Sequence, residues 1–225
     1  SQQWERIERG GQRFYPIMVA EKQLCTLRLT LRGPGGHGAT PLRGGAMSKL
    51  GRVLTRLDNN RLPTHVTPVA RAMIEDMAQA MPPQLGLPFM ALLNEAQAGS
   101  VLDAMGREGR AMDAILHNTV NATIVHGGEI VNVIPSEIIL DLDGRLLPGY
   151  RPDDMVRELQ ALLGEDVEAE IEVVRYDQEQ GTLDMSLFDK LAGILRELDP
   201  QGVPLPYLLS GVTDGRHFAR LGIQT

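Results

Sequence analysis

Leu24-Cys25-Thr26-Leu27-Arg28-Leu29-Thr30-Leu31-Arg32 runs directly into Gly33-Pro34-Gly35-Gly36-His37-Gly38-Ala39-Thr40-Pro41. The first run, extended back to Glu21, alternates apolar and polar side chains, the period of a strand with one buried face. The second run holds too much Gly and Pro for a regular element, so the strand is predicted to end in a loop of unusual backbone geometry. A helix is expected next, over about 45–57, where Met47, Leu50, Val53, Leu54 and Leu57 share a face.

Working outward, strand alternation returns over 115–125 and 137–146. The connection between these strands, His126 to Pro135, is too long for a two-residue hairpin turn. A helix over about 152–163 has Pro152 and Asp153 at its start and Gly164 at its end. A further strand follows over 168–176. Strand, helix, strand, strand, helix, strand in that order predicts an α+β unit of the ferredoxin-like, split β-α-β kind. Between its first helix and second strand, about 59–113, prolines at 63, 68, 82, 83 and 88 separate short helical patterns over 69–81 and 89–98. This insertion is rich in Met, for which core packing is the preferred reading over partner contact. From Ser186 the rhythm changes to helix (to 198), strand (203–209) and helix (214–221), an α/β pattern.

The 225 residues are 43% apolar and 23% charged, the profile of a globular protein able to bury a core, and two domains are expected. A net charge of -7 argues against nucleic acid or an anionic membrane as partner. The Arg-dense stretch from Arg52 to Arg61 reads as the solvated face of a helix. The single cysteine, Cys25, lies in an alternating strand, where a buried structural thiol is expected; it fits a reducing, cytoplasmic setting. No apolar run approaches a membrane span. Ser1 to Arg6 lacks a signal-peptide layout and, without an initiating Met, reads as an internal starting point.

Three residues carry candidate chemistry. His37 is flanked by glycines at 33, 35, 36 and 38, which let a substrate approach the backbone. Asn132 lies in the long connection, and Arg145 near the end of the strand over 137–146. Singly each is weak, since Asn caps turns and a strand-end Arg is usually solvated or ion-paired. Together an imidazole, a carboxamide and a guanidinium supply donors for a developing oxyanion and a fork for a carboxylate.

Val19-Ala20-Glu21-Lys22, the run from Arg32 to Pro41, and Asn132-Val133-Ile134-Pro135 with Arg145 thirteen residues on resemble a known lid. It is the lid domain of the superfamily of aminoacylase, glutamate carboxypeptidase and succinyl-diaminopimelate desuccinylase. Gly211-Val212-Thr213-Asp214-Gly215-Arg216-His217-Phe218 is similar to the Thr-Asp-Ala-Arg turn of that superfamily's catalytic domain. The resemblance implies an α/β catalytic domain with two zinc ions and a ferredoxin-like lid inserted into it. It assigns residues 1–20 and 179–225 to the catalytic domain and 21–178 to the lid, with the helical insertion inside the lid. It implies hydrolysis of an amide bond in an N-acyl amino acid or short peptide, by a zinc-bound water that a glutamate activates. His37 would reach the active site of the partner in a homodimer and stabilise the tetrahedral intermediate. Asn132, Arg145 and Arg216 would bind substrate, chiefly its carboxylate.

The superfamily's His-x-Asp and Glu-Glu metal motifs have no match here, so no residue is assigned as a metal ligand and the chain alone is expected to be inactive. Glu8, before Arg9-Gly10-Gly11, invites comparison with a Glu-Gly-Gly ligand, but Arg9 intervenes, and Gly10-Gly11 reads instead as a turn ahead of Phe14. His217 is read as structural or as supporting the site, His65 and His117 as surface or strand-packing, and His126 as a possible lining residue. A non-catalytic dimerisation or binding module is the alternative, disfavoured because such a module has no need of His37, Asn132 and Arg145 together.

Overall fold

The computed structural model describes residues 7–177, 185–219 and 221–223. The expectations for Ser1 to Arg6, for the lid boundary at 178/179 and for the final Gln224-Thr225 lie outside the described residues. In chain order the elements begin with β1 (Ile7–Arg9), β2 (Gln12–Glu21), β3 (Gln23–Arg32), β4 (Gly36–His37) and α1 (Ala46–Asn59). Four helices follow: α2 (Pro68–Ala80), α3 (Pro83–Ala91), α4 (Glu95–Met105) and α5 (Arg107–Leu116). Then come β5 (Thr119–His126), β6 (Val133–Ile134), β7 (Glu137–Leu146), α6 (Pro152–Leu163) and β8 (Glu170–Asp177). The chain closes with α7 (Ser186–Leu198), β9 (Gly202–Leu209) and α8 (Gly215–Ala219).

These elements form two compact units, 24–63 with 118–178, and 1–23 with 64–117 and 179–225. In the first unit the sheet order is β5-β7-β3-β8, with β3–β8 and β5–β7 antiparallel. The third strand in sequence thus separates the first from the second, as the split β-α-β topology requires. Alternation along β3 sends Cys25, Leu27, Leu29 and Leu31 to one face, where they are fully buried. On β7 Ile138, Leu140 and Leu142 do the same, and Val53 of α1 with Met155, Leu159 and Leu163 of α6 closes the core over them. The opposite face is polar and held by cross-strand ion pairs, Arg28 with Asp141 and Arg32 with both Glu137 and Glu170. Burial pushes the Cys25 thiol up to about 11, consistent with an inert core cysteine.

The second unit is built on a three-stranded sheet, β1-β2-β9. β1 and β2 form a hairpin whose two-residue turn is Gly10-Gly11, both at positive φ, a turn geometry that glycine adopts without a Cβ clash. β2 and β9 run parallel. α2 and α7 pack against both of these strands, and α3 packs on α2. Thr67 caps α2, accepting a hydrogen bond from the Ala70 amide, and Pro68 opens it. Met73, Met77 and Met81 are buried, as core packing of the Met-rich segment requires. Where the sequence reading nested the whole helical segment inside the lid, residues 64–117 group with this second unit. Contiguity in sequence suggested nesting, but packing of α2 on β2 and β9 decides the grouping. Among the described residues no helix is long and apolar enough to cross a membrane.

Candidate functional site

The chain leaves β3 at Arg32, and the Gly33 amide immediately donates to the Ser136 carbonyl at 2.9 Å. Two residues on, β4 pairs antiparallel with β6, Gly36 opposite Ile134 and His37 opposite Val133. The Gly38 amide donates to the Asn132 carbonyl at 2.8 Å and extends this small ladder. The segment expected to be only an irregular loop is therefore partly a strand. None of its glycines at 33, 35, 36 and 38 takes positive φ. Gly33 serves close approach instead: a Cβ on it would lie 2.7 Å from the Ala46 amide nitrogen and 2.9 Å from the Gly44 carbonyl oxygen.

This ladder sets His37 opposite Val133 and the neighbouring Gly38 against Asn132, and His37 and Asn132 are both exposed. The Ala39 amide donates to His37 Nδ1 at 3.2 Å, and the Thr40 amide to the His37 carbonyl at 3.0 Å. A ring whose Nδ1 accepts an amide hydrogen carries its proton on Nε2, so the neutral imidazole offers a donor at Nε2. His126 is exposed at the end of β5, where the connection bearing Asn132 begins.

Arg145 lies at the other end. The strand β7 carries it eight residues from Glu137, ~26 Å at the usual rise of an extended chain. Its guanidinium is engaged in a fork by Asp143 on the same face, Nε donating to Oδ1 at 2.7 Å and Nη2 to Oδ2 at 3.0 Å. The structure thus brings His37 and Asn132 together and sets Arg145 apart from them within the lid.

In the second unit β2 and β9 end together, Glu21 opposite Leu209, and the Lys22 amide donates to the Leu209 carbonyl at 2.9 Å. Arg216 lies in the first turn of α8, its second residue after Gly215 opens it, just beyond this carboxyl edge, where open α/β sheets bind their ligands. The turn before it is fixed by Glu21 Oε2, which accepts from the Thr213 amide at 2.6 Å, and by Thr213 Oγ1, which accepts from the Gly215 amide at 3.0 Å. His217 is exposed, and its amide donates to the Asp214 carbonyl.

The remaining residues are structural. His117 is 2% exposed, with Nδ1 2.8 Å from Asp113 Oδ1 and Nε2 3.0 Å from Thr64 Oγ1. The His65 amide donates to the Leu116 carbonyl. Glu8 is exposed on β1, with Gly10-Gly11 making the hairpin turn. Among the described residues no group of three His, Cys, Asp or Glu side chains is arranged to hold a metal. Two residues escaped the sequence reading. Glu21 reads as the start of a strand and as part of the Val19-Ala20-Glu21-Lys22 resemblance but is given no role, and buried Asn118 ties Leu147 to Glu158 through both ends of its carboxamide. No spacing signal announces either, because both act on partners far away in sequence.

An antiparallel sheet in split β-α-β order, backed by two helices, defines an α+β domain of the ferredoxin-like class. The chain matches the family described as the peptidase dimerisation domain of the M20 peptidases over residues 19–170, and it belongs to that family. It is 22% identical over 209 residues to a probable carboxypeptidase S-like 2 of Dictyostelium discoideum, covering 91% of this chain and 39% of that protein. It is 23% identical to the N-fatty-acyl-amino acid synthase/hydrolase PM20D1.1 of Danio rerio, covering 91% and 40%. To the acetylornithine deacetylase of Myxococcus xanthus it is 27% identical, covering 74% and 35%. The chain therefore spans about 40% of the length of the first two relatives. Among solved structures, the M20 family metallo-carboxypeptidase Sso-CP2 of Sulfolobus solfataricus superposes with TM-score 0.50 at 14% identity, over 92% of this chain and 56% of that one. A hydantoinase/carbamoylase family amidase of Burkholderia ambifaria gives 0.52 at 12%, over 90% and 39%. These superpositions share the fold. The M20 metallopeptidase family is metal-dependent.

Proposed function

We propose that this chain forms the lid and one edge of the catalytic domain of a larger zinc-dependent hydrolase, acting on amide bonds in N-acyl amino acids or short peptides. The observation that carries the reading is the His37 imidazole, exposed, held on the β4–β6 ladder opposite Val133, one residue from the Asn132 backbone contact, with Nδ1 occupied by the Ala39 amide. A neutral ring so fixed presents Nε2–H as a preorganised donor to an oxyanion, and the Asn132 carboxamide offers a second. The names of the relatives, a carboxypeptidase, an N-acyl-amino acid hydrolase and a deacetylase, point to the same bond class. In that reading the two zinc ions would take most of their ligands from other segments of the larger protein, and no residue of this chain is assigned as one. The chain's own part is to bind, orient and donate hydrogen bonds.

The same reading requires a homodimer. Arg145 and His37 lie too far apart in one lid to meet the same small substrate, so two copies would each contribute one end. β5 is an edge strand of its sheet and exposes Ile124 and Val125. A groove of about 470 Å³ runs between β5 and α1, with Leu54, Leu57, Val120 and Ala122 alternating with the polar Thr55, Asp58 and Asn121. An unpaired edge beside an apolar helix face is the surface on which a second copy would continue the sheet. The buried Cys25 suits a reducing compartment, in keeping with the cytoplasm.

The test is to assay the full-length protein, with zinc restored, on N-acyl amino acids and dipeptides, comparing the wild type with His37→Ala. Turnover by the wild type that drops sharply in the variant is expected. Equal turnover by both would remove His37 from the mechanism, and none by either would favour a binding module.

A further inference from the structure

The carboxyl edge of β2 and β9 holds a buried carboxylate, Glu21, and a half-buried guanidinium, Arg216, each with buried polar atoms left over. Glu21 is 5% exposed, and its Oε2 is used by the Thr213 amide. Its Oε1 is buried and accepts no hydrogen bond from the described residues, and Nε and Nη1 of Arg216 are buried and donate none. Burying either charge without compensation is strongly unfavourable. Both residues, with Thr213, line one cavity of about 30 Å³. That volume admits water but no substrate group, and the presence of two charged walls makes it polar enough to hold one. An anion is excluded by the Glu21 carboxylate.

We propose that Glu21 and the buried side of the Arg216 guanidinium form a water-bridged ion pair, and that Glu21 is thereby the positioning residue for the turn carrying Arg216. The pair commits Nε and Nη1 of the guanidinium to the protein, leaving only Nη2 to meet a ligand. Arg216 then binds substrate through one nitrogen of a side chain already oriented from behind, not as an open fork. A simple cap of the Thr213 amide would need no charge at Glu21, since a glutamine oxygen accepts the same hydrogen bond. The pair sits where parallel strands end, so its geometry bears on ligand binding. Only that last consequence rests on the hydrolase reading.

The test uses Glu21→Gln, Arg216→Met and the double variant in the full-length protein. Each single change leaves one buried charge unmatched and should lower Tm by ~5–10 °C, while the double variant regains at least half of the loss. Singles without effect, or losses that simply add, overturn the pair. Should a single variant fail to fold, recovery of folded protein in the double variant reads the same coupling, and no recovery rejects it. For the positioning role, Glu21→Gln should raise KM for an anionic N-acyl amino acid ~10-fold with kcat within ~2-fold, the loss of one charge-assisted contact. Coupling in stability with KM unchanged rejects positioning. If the wild type turns over none of these substrates, the hydrolase reading fails while the stability cycle still decides the pair.

Discussion

The Gly38 amide and the Asn132 carbonyl oxygen are joined by a 2.8 Å hydrogen bond, although 94 residues separate them in the chain. With the His37–Val133 pairing next to it, this bond turns two connections into a short ladder at one end of the lid sheet. The imidazole and the carboxamide are held by backbone, so their side chains remain available.

His37→Ala should therefore separate activity from stability. Loss of one preorganised oxyanion donor is expected to lower kcat by ~10²–10³. The ring is exposed, so Tm should stay within about a degree of wild type. Steady-state kinetics and a thermal melt on the same preparation check both halves.

Gly33→Ala and Gly36→Ala should behave differently although both lie in the same segment. A Cβ at 33 meets backbone atoms at 2.7 and 2.9 Å, whereas one at 36 meets nothing within 4 Å. Backbone cannot swing aside, so the first substitution is expected to cost ~1–3 kcal/mol and the second a few tenths of a kcal/mol. Urea melts of the two variants give the comparison.

The pH dependence of stability should show Asp199. Hydrogen bonds from Arg13 and then Tyr15 hold its carboxyl down at about 2. A folded-state value below the unfolded one of ~3.9 means stabilisation present above pH ~4 and lost as pH falls through ~2. Asp199→Asn should lower Tm at pH 7, and the gap to wild type should close toward pH 2. A gap that stays constant over that window would rule out the linkage.

Leu54→Glu combined with Ile124→Lys should convert a dimer into a folded monomer. Both side chains are exposed in a single copy, so neither change disturbs the lid core. Light scattering with size exclusion reads the mass and circular dichroism the fold; an unchanged dimer places the interface elsewhere.

Much of the lid was legible in advance. The strand over 137–146 and the helices over 152–163 and 186–198 match their sequence patterns end to end, because each carries one buried face and a clear stop. The helix expected over 89–98 is instead the end of α3 and the start of α4, broken at Leu93-Asn94, and α5 was not anticipated at all. In that segment buried residues arise from packing between short helices, and no single period survives. β2 was missed for another reason. It pairs in parallel with β9, shows no alternation and carries Pro16, so its pattern resembles neither template.

By itself the sequence determined the order of the α+β elements and singled out His37, Asn132 and Arg145, since alternation and glycine density are local properties; Arg216 is marked by the resemblance of its turn. Only the tertiary structure decided which of these meet. It paired His37 with Val133 and tied the Gly38 amide to the Asn132 carbonyl, placed Arg145 a strand's length away in the grip of Asp143, and brought Glu21 and Arg216 to the wall of one cavity. Such pairings depend on strand register and on the burial of unmatched charge, which arise when distant segments pack and which no stretch of sequence contains.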